Sequence, residues 1–104
     1  MPKKSMELLT ETMFYVLMAL SEGAMCGIGI AGFIEQRTCG RLRMGPATLY
    51  TVLGKFEKEN YIREISVEGR KRTYQITEKG SYAYREELNR LKQCVLDAEG
   101  GSVL

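Results

Sequence analysis

The side chains that could do chemistry in this chain are cations and hydroxyl groups rather than catalytic pairs. Histidine and tryptophan are both absent from the 104 residues. Without histidine, the sequence lacks the commonest general base, the Ser-His and Cys-His nucleophile pairs and most catalytic zinc sites. The sequence therefore predicts that the protein is not an enzyme, and it predicts no metal and no cofactor.

The basic residues are concentrated in the middle of the chain. The net charge is only +2, yet residues 37–72 carry nine basic and four acidic side chains, and both flanking segments carry an acidic excess. This distribution is typical of a protein with one surface that binds a polyanion. Chance clustering on a solvated surface would explain the charge alone equally well.

Length and composition indicate one globular domain that acts in the cytoplasm. The chain has a mass of 11.8 kDa, with 44% hydrophobic and 27% charged residues, and its longest apolar run, residues 13–20, is too short to cross a bilayer. The N-terminus resembles a lipoprotein export signal, but Glu7 and Glu11 interrupt it. We therefore expect no contact with a membrane.

Three cysteines, Cys26, Cys39 and Cys94, form an odd set without a C-x-x-C spacing. This pattern predicts neither a disulfide framework nor a zinc site. Small, idle thiols are the favoured interpretation. Cys39 lies near Arg37 and Arg41 in the sequence, which keeps a thiol-based redox switch open as an alternative.

Hydrophobic periodicity predicts four helices and one hairpin that would position these side chains. The predicted helices run from about Met6 to Ser21, Gly27 to Gln36, Pro46 to about Glu59 and Glu78 to about Ala98, and the predicted strands are Tyr61 to Val67 and Arg72 to Thr77. Gly69 marks the turn of the hairpin, and Thr77 is a suitable N-cap for the last helix.

This order of elements predicts an α+β, mostly α fold: a winged helix-turn-helix with an additional C-terminal dimerisation helix. Residues 1–77 would form the DNA-binding part, and residues 78–104 the last helix and a frayed tail, together one compact unit. In such a fold a recognition helix enters the DNA major groove while the hairpin wing reaches the neighbouring backbone.

The third predicted helix carries residues suited to base and phosphate contacts. Ala47 and Gly54 are small enough for close approach to DNA, and Thr51 offers a hydroxyl and a methyl group. Phosphates are within reach of cations on this helix, on the preceding loop and at the wing tip, namely Lys55, Lys58, Arg41, Arg43, Arg70 and Lys71. Alternatively, the small residues form an ordinary helix surface.

Over about residues 9–85 the sequence resembles the PadR family of winged-helix transcriptional regulators. The resemblance rests on the segments Gly27 to Ile30, Gly40, Gly45-Pro46-Ala47-Thr48-Leu49-Tyr50, Leu53, Tyr61-Ile62, Gly69 to Tyr74 and Ile76-Thr77-x-x-Gly80. The chain departs from the family pattern at Ile28, Gly29 and Gly45. It also lacks the tryptophan with which some small members stack flat drugs.

The resemblance implies a homodimer that binds a pseudo-palindromic operator in double-stranded DNA and represses transcription until a small ligand relieves it. It implies that Tyr15 and Tyr50 face DNA, together with Thr48 on the recognition helix. It also implies a dimer interface formed by the first and last helices, with the candidates Leu9, Met13, Tyr84, Leu88, Leu91 and Val95.

Two points stay open at this stage. An effector cavity at the dimer interface could be lined by Met6, Met13, Phe14 and Met18, although a role of these side chains in the dimer core is the favoured interpretation. A winged helix that binds another protein instead of DNA is the main alternative function. The cationic wing tip separates the two, because a protein-binding wing does not need it.

Overall fold

In the computed structural model, which describes residues 9–100, four helices surround a small antiparallel sheet. The elements in chain order are α1 (Glu11–Ser21), β1 (Met25–Cys26), α2 (Gly27–Arg37), α3 (Pro46–Lys58), β2 (Ile62–Glu68), β3 (Lys71–Ile76) and α4 (Glu78–Ala98). The predicted fold class, a mostly helical winged helix-turn-helix with a further C-terminal helix, is confirmed. Among the described helices, none has the length and apolarity needed to span a bilayer.

One apolar core joins the first three helices to the sheet. Its fully buried side chains come from all three helices, and they are Val16, Leu17, Leu20, Ile30, Ile34, Leu53 and Phe56. Tyr61, Ile62 and Tyr74 close the core from the sheet side. The helical periodicity of the sequence therefore identified the inward faces correctly, because each face meets the same core.

The first helix begins later than the apolar periodicity predicts. The predicted start, Met6, lies outside the described residues, and Leu9 and Thr10 are not helical. Thr10 is the N-cap of α1, and its hydroxyl accepts a hydrogen bond from the Met13 amide at 3.1 Å. Leu9 packs against the core from outside the helix, which explains why the periodicity continues past the cap. The other predicted element bounds lie within one residue of those observed.

The sheet has three strands rather than the predicted two. The additional strand, β1, pairs Met25 with Tyr74 and Cys26 with Thr73, so β3 lies in the middle of the order β1-β3-β2. A strand of two residues has no alternation that a sequence pattern could show. Because β1 leads directly into α2, the ladder connects the start of the second helix to the wing.

The wing is a tight hairpin of β2 and β3, and its first strand, β2, is irregular. Glu68 pairs with Lys71, which leaves Gly69 and Arg70 as the turn, and Gly69 has a φ of 64°. The register shifts between Glu64 and Ser66. The bulge at this point leaves Ile65 unpaired and 47% exposed, so the apolar alternation predicted for this strand does not produce a buried face.

The last helix is anchored at its start. The Thr77 hydroxyl accepts a hydrogen bond from the Gly80 amide at 3.0 Å, and it lies 2.7 Å from the Asn60 carbonyl oxygen. A Cβ atom at Gly80 would collide with the Tyr61 carbonyl oxygen and lie 2.9 Å from Ile76. The Thr-x-x-Gly motif therefore caps α4 and brings its backbone directly against the end of α3 and the start of β2.

Within residues 9–100, the first half of α4 packs on the rest of the protomer, whereas most of its second half is exposed. Tyr84 stacks on Phe14 of α1 with ring centroids 5.2 Å apart. Farther along, Val95 is 54% and Leu96 is 41% exposed. These two residues line a shallow apolar groove of about 440 Å³ with Leu91 and Lys92. The second half of α4 therefore presents an apolar surface that no other part of the described range covers.

Candidate nucleic-acid interface

The outer face of α3 is open and carries several small side chains. Ala47, Thr48, Thr51 and Gly54 are all exposed, whereas the inner face of the helix is buried in the core. A Cβ atom at Gly54 would have no neighbour within 4 Å. Nothing inside the described protomer therefore requires glycine at this position, although glycine costs about 0.5–1 kcal/mol in a helix interior relative to alanine.

The Thr51 hydroxyl can make fewer hydrogen bonds to a DNA base than the residue type suggests. Its hydroxyl donates a hydrogen bond to the Ala47 carbonyl oxygen at 2.9 Å. A hydroxyl group has a single donor and two acceptor lone pairs. Thr51 therefore presents a methyl group and an acceptor oxygen to an outside partner, and its donor is already in use.

Tyr50 connects the recognition helix to the start of α2. Its side chain is half exposed, and its hydroxyl would lie 2.7 Å from a Cβ atom built at Gly27. Glycine at this position therefore makes room for the Tyr50 ring. The two residues border a depression of about 130 Å³ between α2 and α3, next to the exposed side chain of Ile28.

At the wing tip, two cations are free and one is neutralised. Arg70 and Lys71 are exposed and make no ion pair with any residue that the structure describes. Arg72, by contrast, lies 2.8 Å from Glu64 across the hairpin. This hydrogen bond and the charge of Glu64 raise the pKa of Arg72. The two unpaired cations, Arg70 and Lys71, are the residues that the sequence predicted as phosphate ligands at the wing tip.

Two further cations lie near the end of α3. Lys55 and Lys58 occupy its last turn and are exposed, and neither forms an ion pair over the described range. Cations in a last helical turn also stabilise the helix through its dipole. Their position alone is therefore compatible with a purely structural role as well as with phosphate binding.

The arginines beside the α2–α3 loop are all paired with carboxylates. Arg41 lies 2.9 Å from Glu11, Arg43 lies 3.5 Å from Glu35, and the pair at the end of α2, Arg37 and Glu22, is 3.8 Å apart. The sequence reasoning missed these partners because residues far apart in the chain carry no spacing signal. The predicted phosphate ligand Arg43 is 72% exposed despite its pair.

Tyr15 belongs to this group as well. Its hydroxyl accepts a hydrogen bond from the Arg41 guanidinium at 3.1 Å, and that guanidinium carbon lies 5.9 Å from the centroid of the Tyr15 ring. The hydrogen bonds to Glu11 and Tyr15 raise the pKa of Arg41. The loop that carries Arg41 is fixed, because the Thr38 hydroxyl accepts a hydrogen bond from the Leu42 amide at 3.1 Å.

The predicted dimer residues fall into two groups. Leu9 and Met13 pack on the core of their own protomer, and Tyr84 stacks on Phe14. Of the other candidates on α4, Leu88 and Leu91 are partly buried and Val95 is exposed. Met13 and Phe14 are each only 8% exposed, so of the described effector candidates only the half-buried Met18 remains accessible.

A charged pair lies beside the apolar groove. Glu87 is 7% exposed, and Arg90 donates two hydrogen bonds to its carboxylate at 2.9 and 2.6 Å. The Glu87 hydrogen bond raises the pKa of Arg90. Arg90 also approaches the Cys94 sulfur at 3.7 Å, a partner at helical i, i+4 spacing that the sequence could have revealed.

The thiols and carboxylates form no obvious site. Cys39 and Cys94 are exposed, Cys26 is partly buried, and all three are free thiols. Within residues 9–100 there is no group of three or more side chains that could hold a metal ion.

The three-helix core, the exposed α3 and the hairpin wing define a winged helix-turn-helix protein. The sequence matches the transcriptional regulator PadR-like family over residues 16–86, which is more than half of the chain. The protein therefore belongs to the PadR-like family of transcriptional regulators, as its motifs indicated.

Individual proteins are similar to this chain in sequence or in fold. A transcriptional regulator from Clostridium thermocellum is 28% identical, with a TM-score of 0.71 over 83% of this chain and 89% of that one. Bacillus subtilis PadR in complex with operator DNA is 19% identical, with a TM-score of 0.67 over 76% of this chain and 47% of that one. A 37.1 kDa protein in transposon TN4556 of Streptomyces fradiae is 37% identical over 65 residues, and this chain spans 18% of its length.

Proposed function

We propose that the protein is a homodimeric repressor that binds a pseudo-palindromic operator in double-stranded DNA. The observation that carries this proposal is the combination of an open α3 surface, with small residues at Ala47 and Gly54, and the free cations Arg70 and Lys71 at the wing tip. An exposed helix of small residues fits the major groove, and flanking cations fit the phosphates on either side.

The distribution of ion pairs supports the DNA-binding part of the proposal. The wing-tip and α3 cations have no carboxylate partner among the described residues, whereas Arg37 and Arg72 are both neutralised. Unpaired cations bind phosphate without first breaking an internal contact, and each phosphate contact releases counterions from the DNA. The fold neighbour from Bacillus subtilis is itself in complex with operator DNA.

The apolar groove on α4 supports the homodimer. Leu91, Val95 and Leu96 extend the seam that begins at Tyr84, at a point where the described residues of the protomer offer no cover. A second copy of α4 provides an equally apolar surface, so that a two-fold dimer buries both. Two recognition helices related in this way would contact half-sites about 34 Å apart. A small ligand that relieves repression would bind at this interface.

Selection of bound duplexes from a random-sequence library tests DNA recognition directly. We expect enrichment of a pseudo-palindrome with half-sites one helical turn apart. In a gel-shift with the selected site, Arg70→Ala with Lys71→Ala should weaken binding to all sequences and reduce the salt slope by about two. Thr51→Ala should instead change base preference, by about 1–3 kcal/mol at the affected position.

The oligomeric state has its own test. Leu91→Asp with Val95→Asp should convert the dimer to a monomer in sedimentation equilibrium, because two carboxylates would be buried at the seam. Tyr82→Asp is the matched control. Tyr82 is 60% exposed on the same helix, but it points about 180° away from Leu91 at 100° per residue. A protein that is monomeric before substitution would contradict the homodimer.

One observation favours a second candidate function, a winged helix that binds a protein. Ile65 and Val67 leave β2 with an exposed apolar surface, at 47% and 52% exposure, which phosphate contact does not require. If no sequence is enriched and the affinity for random DNA equals that for any selected site at physiological salt, this candidate replaces the first.

Redox control would be an addition to the DNA-binding function rather than a replacement for it. Cys94 is exposed, and its sulfur lies 3.7 Å from the Arg90 guanidinium. A variant in which serine replaces Cys26, Cys39 and Cys94 should lose any oxidant sensitivity of operator binding. Unchanged regulation in this variant would exclude a thiol switch.

A further inference from the structure

We propose that Arg41 is a phosphate-binding residue of the DNA interface and that Glu11 is its internal competitor, a carboxylate that a DNA phosphate replaces when the protein binds. The inference rests on the proposed DNA-binding function and adds a specific exchange of partners to it. It concerns the cluster of Glu11, Tyr15 and Arg41, which joins the start of α1 to the α2–α3 loop.

The cluster holds the Arg41 guanidinium in a defined position with donors to spare. One terminal nitrogen lies 2.9 Å from the Glu11 carboxylate, and the other donates to the Tyr15 hydroxyl at 3.1 Å. A guanidinium has five N–H donors in a planar fork. The remaining donors make no hydrogen bond with a described residue, so they are available to a second anion.

The Glu11 contact is suited to exchange rather than to permanent pairing. The Arg41 and Glu11 side chains are 58% and 56% exposed, and an ion pair this exposed contributes little to stability. Arginine binds phosphate bidentately and strongly, as it does carboxylate. Tyr15 is a neutral partner that can keep its contact with the guanidinium while the anion changes.

The position of Arg41 favours phosphate as the incoming anion. The loop that carries it leads directly into α3 at Pro46, the end of a recognition helix that lies closest to DNA. The Thr38 hydroxyl accepts a hydrogen bond from the Leu42 amide and donates to the Ile34 carbonyl at 2.8 Å. These bonds attach the loop to α2, so Arg41 is presented on a rigid support.

The exchange predicts opposite effects for the two charged partners. With a random-sequence 30-base-pair duplex as probe and fluorescence anisotropy as readout, Arg41→Ala should weaken binding about tenfold and reduce the salt slope by about one. Glu11→Gln should strengthen binding about threefold or more, because it frees the guanidinium and removes repulsion of the phosphate. Far-UV circular dichroism with thermal unfolding confirms that both variants are folded.

Glu22→Gln is the matched control. It removes the same charge from the opposite end of α1, beside Arg37, and it should change the affinity less than twofold. In an Arg41→Ala background, Glu11→Gln should no longer strengthen binding. Equal effects of Glu11→Gln and Glu22→Gln, or a Glu11→Gln gain that persists without Arg41, would overturn the exchange while DNA binding stands. A wild-type protein that does not bind the duplex would overturn both.

Discussion

Two helical glycines in this protein have opposite surroundings. Gly80, at the start of α4, is buried, and a Cβ atom there would collide with the backbone of Tyr61. Gly54, in the middle of α3, is exposed, and a Cβ atom there would meet nothing within 4 Å. Both residues lie in regular α-helix, so backbone conformation does not explain either one.

The comparison separates a glycine that internal packing requires from a glycine that no described contact explains. Gly80 allows the first turn of α4 to contact the backbone of Tyr61, the residue that precedes β2. Gly54 weakens α3 without improving any contact in the described protomer, and its smallness is compatible with the close approach of DNA that we propose for this helix. The same residue type therefore marks internal packing in one region and an external surface in the other.

The largest expected effect is at the packed glycine. Gly80→Ala should lower the free energy of unfolding by about 3 kcal/mol, because the methyl group meets a carbonyl that other hydrogen bonds hold in place. Urea denaturation measures this change. Gly32→Ala, at an open helical position in α2, should not destabilise the protein. Equal stability of the two variants would mean that α4 can move away from Tyr61 at little cost.

The cap beside Gly80 should have a smaller effect. Thr77→Ala removes the acceptor for the Gly80 amide and should cost about 1 kcal/mol of unfolding free energy. Thr77→Ser keeps the hydroxyl and should retain most of the wild-type stability in the same denaturation experiment. If serine and alanine are equally destabilising, the methyl group of Thr77 matters and the hydrogen bond does not.

The open glycine should respond in the opposite direction. Gly54→Ala should raise the free energy of unfolding by about 0.5–1 kcal/mol, because alanine has the higher helix propensity. The same substitution should weaken operator binding about tenfold, since the methyl group reduces close approach to the groove. Thermal unfolding measures the change in stability, and gel-shift titration measures the change in operator affinity.

Gly32→Ala provides the comparison for this prediction. It adds a methyl group to an equally open helical site and should produce a similar gain in stability. Its operator affinity should stay at the wild-type value. A Gly54→Ala protein that is more stable and binds DNA normally would remove Gly54 from the interface.

The smallest effect concerns alkaline pH and the packed region. Burial raises the pKa of Tyr61 and of Tyr74 above 10.0. Stability from the neutral phenols is therefore fully present below pH 10 and is lost as the pH rises through their folded-state pKa. Tyr61→Phe should make the decline of unfolding free energy above pH 10 shallower. If the unfolding free energy of Tyr61→Phe falls as steeply above pH 10 as that of the wild type, groups other than Tyr61 cause the decline.

The sequence predicted most of the fold because its helices have clear inward faces. The apolar spacing of α3 and the Thr77 cap of α4 both identify real elements and real ends. The predicted start of α1 was wrong because Leu9 joins the core without being helical. The strand β1 was missed because a strand of two residues has no period.

The candidate interface was predictable only in part. Residue type and helical position suffice to find exposed small residues and cations, such as Thr51 and Arg70. Their partners require the tertiary structure, because the contact between Arg41 and Glu11 depends on how α1 lies against the loop. The hydrogen bond from Thr51 to the Ala47 carbonyl is local. Threonine forms it only in some of its rotamers, so the sequence alone does not predict it.

The short strand β1 also has a mechanical consequence. It pairs with β3, the middle strand of the sheet, and continues without a break into α2, so it links the wing directly to the helix-turn-helix. This ladder favours movement of the wing and α2 as one unit. If the wing and α3 both contact DNA as we propose, a displacement transmitted through α1 or α4 would change the two contacts together.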